Sequence, residues 1–69
     1  LLKEGSRGEV VRLLQERLGN QYRIGVTGGY DGIYGPGTRA AVMEFQKQKG
    51  LSIDGITGQN TWKALLGDD

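Results

Sequence analysis

Apolar residues recur at helical spacing in three separate stretches of this chain. The first stretch predicts a helix over about residues 7–18, the second over about 36–49, and the third over about 59–66. In chain order, the apolar positions are Val10, Val11, Leu13, Leu14 and Leu18, then Ala41, Val42 and Phe45, then Trp62, Leu65 and Leu66. The pattern therefore predicts an all-α fold, a small three-helix bundle.

Residues typical of helix ends flank the predicted helices. Ser6 and Glu9 have the spacing of a capping box for the first helix, and Gly19 is placed to end that helix in a left-handed conformation. Pro36 suits the first position of the second helix, because a missing N–H costs nothing there. Gly50 is expected to end the second helix.

One short pattern occurs twice, and it precedes the second and third helices. Residues 31–42 and 54–65, offset by 23 positions, both read D-G-I-x-G-x-x-T-x-x-A followed by Val or Leu. Asp-Gly forms tight turns, because Asp bonds its own downstream backbone and Gly accepts a positive φ. The second glycine of each copy, Gly35 or Gly58, is placed as a helix N-cap. We call residues 31–35 the first loop and residues 54–58 the second loop.

The apolar positions that face inward in this arrangement form a predicted core. Its members are Leu2, Val11, Leu14, Leu18, Ile33, Val42, Phe45, Leu51, Ile53, Ile56, Trp62 and Leu65. The connection over residues 20–35 is rich in glycine and tyrosine; residues 24–27 have some strand character, which the surrounding glycines oppose. Residues 68–69 are expected to be frayed or to begin a linker.

Composition narrows the possible functions. Sixty-nine residues fit one small domain, residues 1–69, and the absence of Cys and His excludes disulfides, thiolate chemistry and the usual zinc ligands. We expect no metal and no cofactor. A net charge of +1 provides no general attraction for nucleic acid, and no apolar run approaches the roughly 18 residues of a membrane span. The chain begins at Leu1 without Met or a signal peptide, and we expect a monomeric module from a longer protein.

Catalysis has few candidate residues in this sequence. Asp31 and Asp54 occupy equivalent positions and are candidates for paired carboxylates, but the favoured interpretation is that both form Asx turns. Each loop has one Asp and lacks the alternating oxygen ligands of an EF-hand. Gly32 and Gly35 lack the lysine and the preceding strand of a phosphate-binding loop. Binding is therefore favoured over catalysis.

Aromatic and charged residues near the loops are candidate contacts for a ligand. Tyr30 and Tyr34 flank the first turn, where flat rings stack on sugars or pack in a core. Arg39 lies in the first turn of the second helix, within reach of an acidic ligand, although solvation is the common state of a lone arginine. Two helix N-termini entered through glycine also present N–H groups that suit carboxylates.

Three blocks of the sequence resemble the peptidoglycan-binding domain type 1 family across almost the whole chain. The blocks are Leu2-x-x-Gly5-Ser6-x-Gly8-x-x-Val11-x-x-Leu14-Gln15-x-x-Leu18, Asp31-Gly32-Ile33-Tyr34-Gly35-x-x-Thr38-x-x-Ala41-Val42-x-x-Phe45-Gln46, and Gly50-Leu51-x-x-Asp54-Gly55-Ile56-x-Gly58-x-x-Thr61-Trp62-x-x-Leu65. The resemblance implies a three-helix fold with a repeated loop. It also implies that Gln15 and Gln46 tie the loops and that Thr38 and Thr61 complete the helix entries.

The resemblance further implies a non-catalytic module, covalently linked to a cell-wall hydrolase such as an amidase, carboxypeptidase or muramidase. Its partner would be the glycan or the stem peptide of peptidoglycan, at the bacterial envelope or in a phage lysin. The expected ligand lies in a groove between the two loops. The candidate contacts are Tyr30, Tyr34, Arg39, Thr57 and Asn60, with Asp31 and Asp54 as further candidates.

Three alternatives are open at this stage. One is an autoinhibitory or protein-interaction domain that packs on its parent enzyme, as the related propeptide of matrix metalloproteinases does. A three-helix DNA reader is disfavoured by the low net charge. An enzyme acting alone is the least favoured interpretation.

Overall fold

The computed structural model describes residues 1–67, which form three α-helices and contain no β-strand. Helix α1 spans Glu9–Glu16 and continues directly as a π-helix over Arg17–Gln21. Helix α2 spans Pro36–Lys49, and helix α3 spans Gln59–Leu65. The predicted all-α, three-helix fold is confirmed. The expectation for residues 68–69 lies outside the described residues.

The start of α1 differs from the predicted capping box. The helix begins at Glu9 with Gly8 as its N-cap, and no side chain caps it. The Ser6 hydroxyl instead accepts a hydrogen bond from the Lys3 N–H at 3.1 Å. The capping box is absent because the backbone of residues 6–8 pairs with the first loop, so that α1 starts later than residue 7.

The end of α1 also differs from the prediction. Gly19 does not form a left-handed cap, because the chain continues through it in the wider π-helix. After the π-helix, the chain turns back toward it, and the Ile24 N–H donates to the Leu18 carbonyl at 2.9 Å. The left-handed residue is Arg23, with φ of 57°, a conformation that costs a non-glycine residue about 1–2 kcal/mol.

The core lies between α1, α2 and α3. Its buried apolar residues are Val11, Leu14, Leu18, Ile24, Tyr34, Ala41, Val42, Phe45 and Leu65. Ile33 and Ile53 were predicted in the core but are 45% and 51% exposed, and Val10 and Leu13 are also exposed. Ile33 faces outward because adjacent side chains on a non-helical backbone point to opposite sides and its neighbour Tyr34 faces inward.

Tyr22 joins the end of α3 to the core. Its hydroxyl donates to the carbonyls of Ala64 and Leu65, at 3.1 and 2.9 Å, which are among the C-terminal carbonyls that a helix leaves unpaired. Its ring packs edge-on against Phe45 at a centroid distance of 4.8 Å, and the Lys49 ammonium lies 5.3 Å from the ring centre. Tyr22 is thereby fixed as part of the scaffold.

The N-terminal segment, residues 2–8, connects the two loops. Leu2 and Thr57 exchange two backbone hydrogen bonds, of 3.0 and 2.7 Å. Further along, the Gly5 N–H donates to the Tyr34 carbonyl, and the Tyr34 N–H donates to the Ser6 carbonyl. The two loops are therefore held together by the main chain of this segment as well as by the helices that follow them.

Candidate functional site

A buried glutamine holds the first loop. The Gln15 amide nitrogen donates to the Asp31 carboxylate at 3.0 Å, the Ile33 carbonyl at 3.0 Å and the Thr38 hydroxyl at 2.9 Å. Its amide oxygen accepts from the Gly32 N–H at 2.9 Å. One side chain on α1 thus fixes both the turn and the entry to α2, as the family resemblance implied for Gln15 and Thr38.

The second loop repeats the same arrangement around Gln46. Its amide nitrogen donates to Asp54 at 2.9 Å, to the Ile56 carbonyl at 3.0 Å and to the Thr61 hydroxyl at 3.2 Å. The Gly55 N–H donates back to the Gln46 oxygen at 3.0 Å. The repeated sequence therefore encodes a repeated structure. Its full unit includes the glutamine of the preceding helix.

Each loop aspartate acts as an Asx turn. Asp31 accepts from the Ile33 N–H at 3.0 Å, and Asp54 accepts from the Ile56 N–H at 2.9 Å. These backbone hydrogen bonds are the main cause that lowers the pKa of both carboxyls, and the bonds from Gln15 and Gln46 lower it further. Both carboxylates are committed to holding their turns, in agreement with the favoured interpretation.

Tyr34 and Thr57 were predicted to contact a ligand, but the structure buries both. They occupy equivalent positions in the two copies of the repeat and are 1% and 0% exposed. The Tyr34 hydroxyl donates to the Gly55 carbonyl at 2.7 Å and lies 3.2 Å from the Thr57 hydroxyl. Burial raises the pKa of the Tyr34 phenol. This pair joins the two loops from inside and offers no exposed surface to a ligand in this conformation.

Arg39 lies against the second loop. A Cβ placed on Gly55 would approach the Arg39 Cγ and Nε to 2.9 and 3.0 Å, so the arginine covers the turn directly. Its Nε is 4.0 Å from the Glu4 carboxylate, and both side chains are about half exposed. Arg39 therefore remains available to an acidic ligand beside the second loop.

Asp54 and Asn60 line one cleft of about 300 Å³ at the start of α3, which we call the second-loop cleft. Polar side chains form much of its wall; the lining residues are Leu1, Leu51, Ser52, Asp54, Ile56, Gly58, Gln59, Asn60 and Thr61. Ser52 and Gln59 were not among the predicted contacts. Their position in the sequence, close to either end of the second loop, is the signal that identifies them.

Tyr30 lies at the opposite end of the first loop from Tyr34, over the π-helix. A Cβ on Gly19 would fall within 2.6 Å of the Tyr30 Cζ, so the phenol ring rests on the backbone of that glycine. Its hydroxyl is 3.4 Å from the Asn20 side-chain oxygen, and the residue is 39% exposed. The bare backbone of Gly19 is what permits this close approach.

The predicted groove that gathers Tyr30, Tyr34 and Arg39 is not present as one surface. Tyr30 contacts the π-helix, Tyr34 is interior, and Arg39 covers the second loop. Residues 2–8 also hydrogen-bond to both loops where a ligand was expected to pass between them. The structure instead leaves separate exposed groups, at Tyr30 and Asp31 and at Arg39, Asp54 and Asn60.

The described residues hold no group of three acidic, His or Cys side chains able to bind a metal ion. In that same part of the chain, every helix is too short and too polar to cross a membrane.

A family model described as "Putative peptidoglycan binding domain" matches residues 7–65.

Similar proteins include enzymes of the bacterial cell wall. The chain is 46% identical over 70 residues to the zinc D-Ala-D-Ala carboxypeptidase of Streptomyces albus G, covering 99% of this chain and 28% of that protein. The chain thus spans little more than a quarter of this relative. The SleB N-terminal domain, 39% identical, superposes with a TM-score of 0.86 over 97% of this chain and 89% of that one. The Burkholderia AP3 phage endolysin, 43% identical, superposes with a TM-score of 0.85 over 99% of this chain and 25% of that one.

The fold and these similarities define the class as small helical modules found within cell-wall hydrolases. The chain belongs to the peptidoglycan-binding domain family whose model matches residues 7–65.

Proposed function

We propose that residues 1–69 form a single, monomeric, non-catalytic module that holds an attached hydrolase on peptidoglycan. The observation that supports this most strongly is the agreement with the SleB N-terminal domain along 97% of the chain, at a TM-score of 0.86. The proposed place of action is outside the cell, at the bacterial envelope or in a phage lysin. In either setting, tethering raises the effective concentration of the catalytic domain near its substrate.

The proposed contacts are the predicted residues that remain exposed. The ring of Tyr30 offers a face for stacking on a sugar, and Arg39 offers a cation for a carboxylate. Asn60, in the second-loop cleft, has amide groups that pair with sugar hydroxyls or peptide amides. Asp31 and Asp54 each have one oxygen bound within their turn and serve as secondary contacts.

These contacts are small and polar, so each module is expected to bind weakly, with a Kd of the order of micromolar to millimolar. Weak binding suits an enzyme that must move along its substrate, because the tether supplies the missing affinity through effective concentration.

Sedimentation with purified, insoluble sacculi tests the proposal. The chain should be retained, and Tyr30→Ala and Asn60→Ala should each reduce retention while leaving the circular dichroism spectrum unchanged. Lys63→Ala, an exposed change on α3, is the matched control and should have no effect. Retention of the unchanged chain no better than that of an unrelated domain of similar charge would contradict the proposal.

A second candidate function is contact with the attached catalytic domain. Val10 and Leu13 on α1 are 54% and 46% exposed, and their spacing of three positions makes them neighbours on one face of the helix, where adjacent exposed apolar side chains indicate an interaction surface. This second function would be supported if Val10→Ser abolished binding to the parent catalytic domain while retention on sacculi was unchanged.

A further inference from the structure

A groove of about 420 Å³ lies away from the two loops, between residues 23–27 and α2. Its floor is formed by Gly37, Ala40 and Ala41, the smallest side chains on α2. Thr27 packs directly on part of this floor, because a Cβ on Gly37 would overlap the Thr27 carbonyl oxygen. We call this the α2 groove.

The main chain that forms one wall of the α2 groove is open. Among the described residues, no hydrogen bond uses the N–H of Gly25, Val26 or Thr27, or the carbonyl of Gly25. The Thr27 carbonyl faces Gly37 on α2 and is not open to a ligand. Gly25 and Thr27 are exposed. Free donors and acceptors along one stretch of backbone are what an added peptide uses when it pairs as a strand.

Two backbone irregularities lead into this wall. The π-helix over Arg17–Gln21 precedes it, and Arg23 is the only non-glycine residue with a positive φ among those described. Short π-helices and left-handed non-glycine residues concentrate at functional sites, where the surrounding structure maintains them. Arg23 itself lines the groove, so its strained conformation places a cation there.

The groove carries charges of both signs. Arg23 contributes a guanidinium and Glu44 a carboxylate, and the two form no ion pair with each other. Gln48 donates to Glu44 at 3.2 Å and holds that carboxylate in place on α2. A ligand that complements this groove has a carboxylate for Arg23, an ammonium for Glu44 and small side chains for the floor.

On these observations, we propose that the α2 groove binds the stem peptide of peptidoglycan through main-chain hydrogen bonds to residues 25–27. Stem peptides combine alanine methyl groups, carboxylates and, where the third residue is a diamino acid, a free ammonium. The methyl groups match the small residues of the floor, and the charged groups match Arg23 and Glu44. A protein segment fits less well, because such segments anchor through large apolar or aromatic side chains and the floor has no pocket for one. This inference rests on the proposed function. It assigns the peptide part of peptidoglycan to a binding site that is separate from the two loops.

The test is a titration of the ¹⁵N-labelled chain with free tetrapeptide, L-Ala-γ-D-Glu-meso-diaminopimelate-D-Ala, followed by amide chemical shifts. We expect saturable shifts at Gly25, Val26 and Thr27. Glu44→Gln and Arg23→Gly should each weaken binding at least threefold. Arg12→Gln, which removes the same charge from the exposed surface of α1, should leave the affinity unchanged.

Arg23→Gly separates binding from folding. Glycine adopts a φ of 57° freely, so the variant should melt at the same temperature or higher while it loses affinity. Unchanged affinity in Arg23→Gly and Glu44→Gln, or shifts confined to other residues, would overturn the inference. If the chain is retained on sacculi but the tetrapeptide produces no shifts, only this inference fails. If sacculi do not retain the chain, the proposed function itself fails.

Discussion

Replacing Gln46 by leucine tests the physical basis of the fold most sharply. The substitution keeps roughly the same volume and removes the side-chain amide, whose oxygen accepts from the Gly55 N–H and whose two N–H hydrogens are shared among Asp54, Ile56 and Thr61. Asp54 is exposed and can bond water instead, whereas the Gly55 N–H and the Thr61 hydroxyl are buried and lose their partner. A buried polar group left without a partner costs about 1–3 kcal/mol, and because the loop can relax toward solvent we take the lower part of that range, about 2–4 kcal/mol for the two groups together.

This loss is large for so small a chain. A core of this size without disulfides or metal is expected to provide only about 3–5 kcal/mol of net stability. Gln46→Leu should therefore lower the free energy of unfolding by at least about 40%. In a domain of 60–100 residues each kcal/mol corresponds to about 4–8 °C in Tm, so Tm should fall by at least about 8 °C.

Urea unfolding followed by circular dichroism at the helix band measures the effect. Gln48→Leu on the same helix is the matched control, because its side chain is exposed and bonded only to Glu44, and it should change stability by less than about 0.5 kcal/mol. Gln15→Leu removes the equivalent amide contacts of the first loop and should cost a similar amount. A loss below about 0.5 kcal/mol for Gln46→Leu would refute the reasoning that the buried amide holds the loop.

The remaining predictions concern the buried tyrosine, the loop carboxylates and the close packing of α2. Tyr34→Phe should lower the free energy of unfolding by about 1–3 kcal/mol, because a buried carbonyl loses its donor, and the same urea titration measures it. The lowered pKa of Asp54 means that its contribution to stability is complete above about pH 4 and is lost as the pH falls through the folded-state pKa. Acid unfolding of Asp54→Asn, which keeps the acceptor oxygen, should therefore show a weaker pH dependence than that of the unchanged chain; identical acid profiles would count against this assignment. Gly37→Ala should lower Tm although alanine favours helix, because its Cβ would overlap the Thr27 carbonyl, whereas Gly25→Ala, with no atom within 4 Å, should be tolerated.

The sequence predicts the repeated unit well because local chemistry determines it. The Asp-Gly turns and the N-caps Gly35 and Gly58 appear as the repeated pattern predicted, and the ties from Gln15 and Gln46 appear as the family resemblance implied. The observed span of α2 equals the predicted one, since Pro and Gly mark both of its ends unambiguously.

Features that depend on contacts between segments far apart in the sequence were not predictable in the same way. Pairing of residues 6–8 with the first loop removes the capping box at Ser6. Tyr34 and Thr57 are buried because the two loops meet, which no single copy of the repeat reveals. The π-helix after α1 conflicts with the simple expectation that Gly19 ends a helix, and the ring of Tyr30 occupies the space above that glycine.

For the candidate site, the structure shows which of the predicted contacts are exposed and which are buried. Tyr30, Arg39 and Asn60 are exposed as a contact surface requires, while the loops are joined by the chain itself rather than separated by an open groove. For the α2 groove, the sequence offered only the slight strand character of residues 24–27, because unpaired backbone and a left-handed arginine leave no pattern in residue types.

The central claim is that this module binds peptidoglycan, and an equilibrium isotherm on purified sacculi tests it most directly. Fluorescently labelled chain should bind saturably, with a Kd of the order of micromolar to millimolar, and soluble peptidoglycan fragments should displace it. Binding that rises linearly without saturation, or that fragments fail to displace, would contradict the claim.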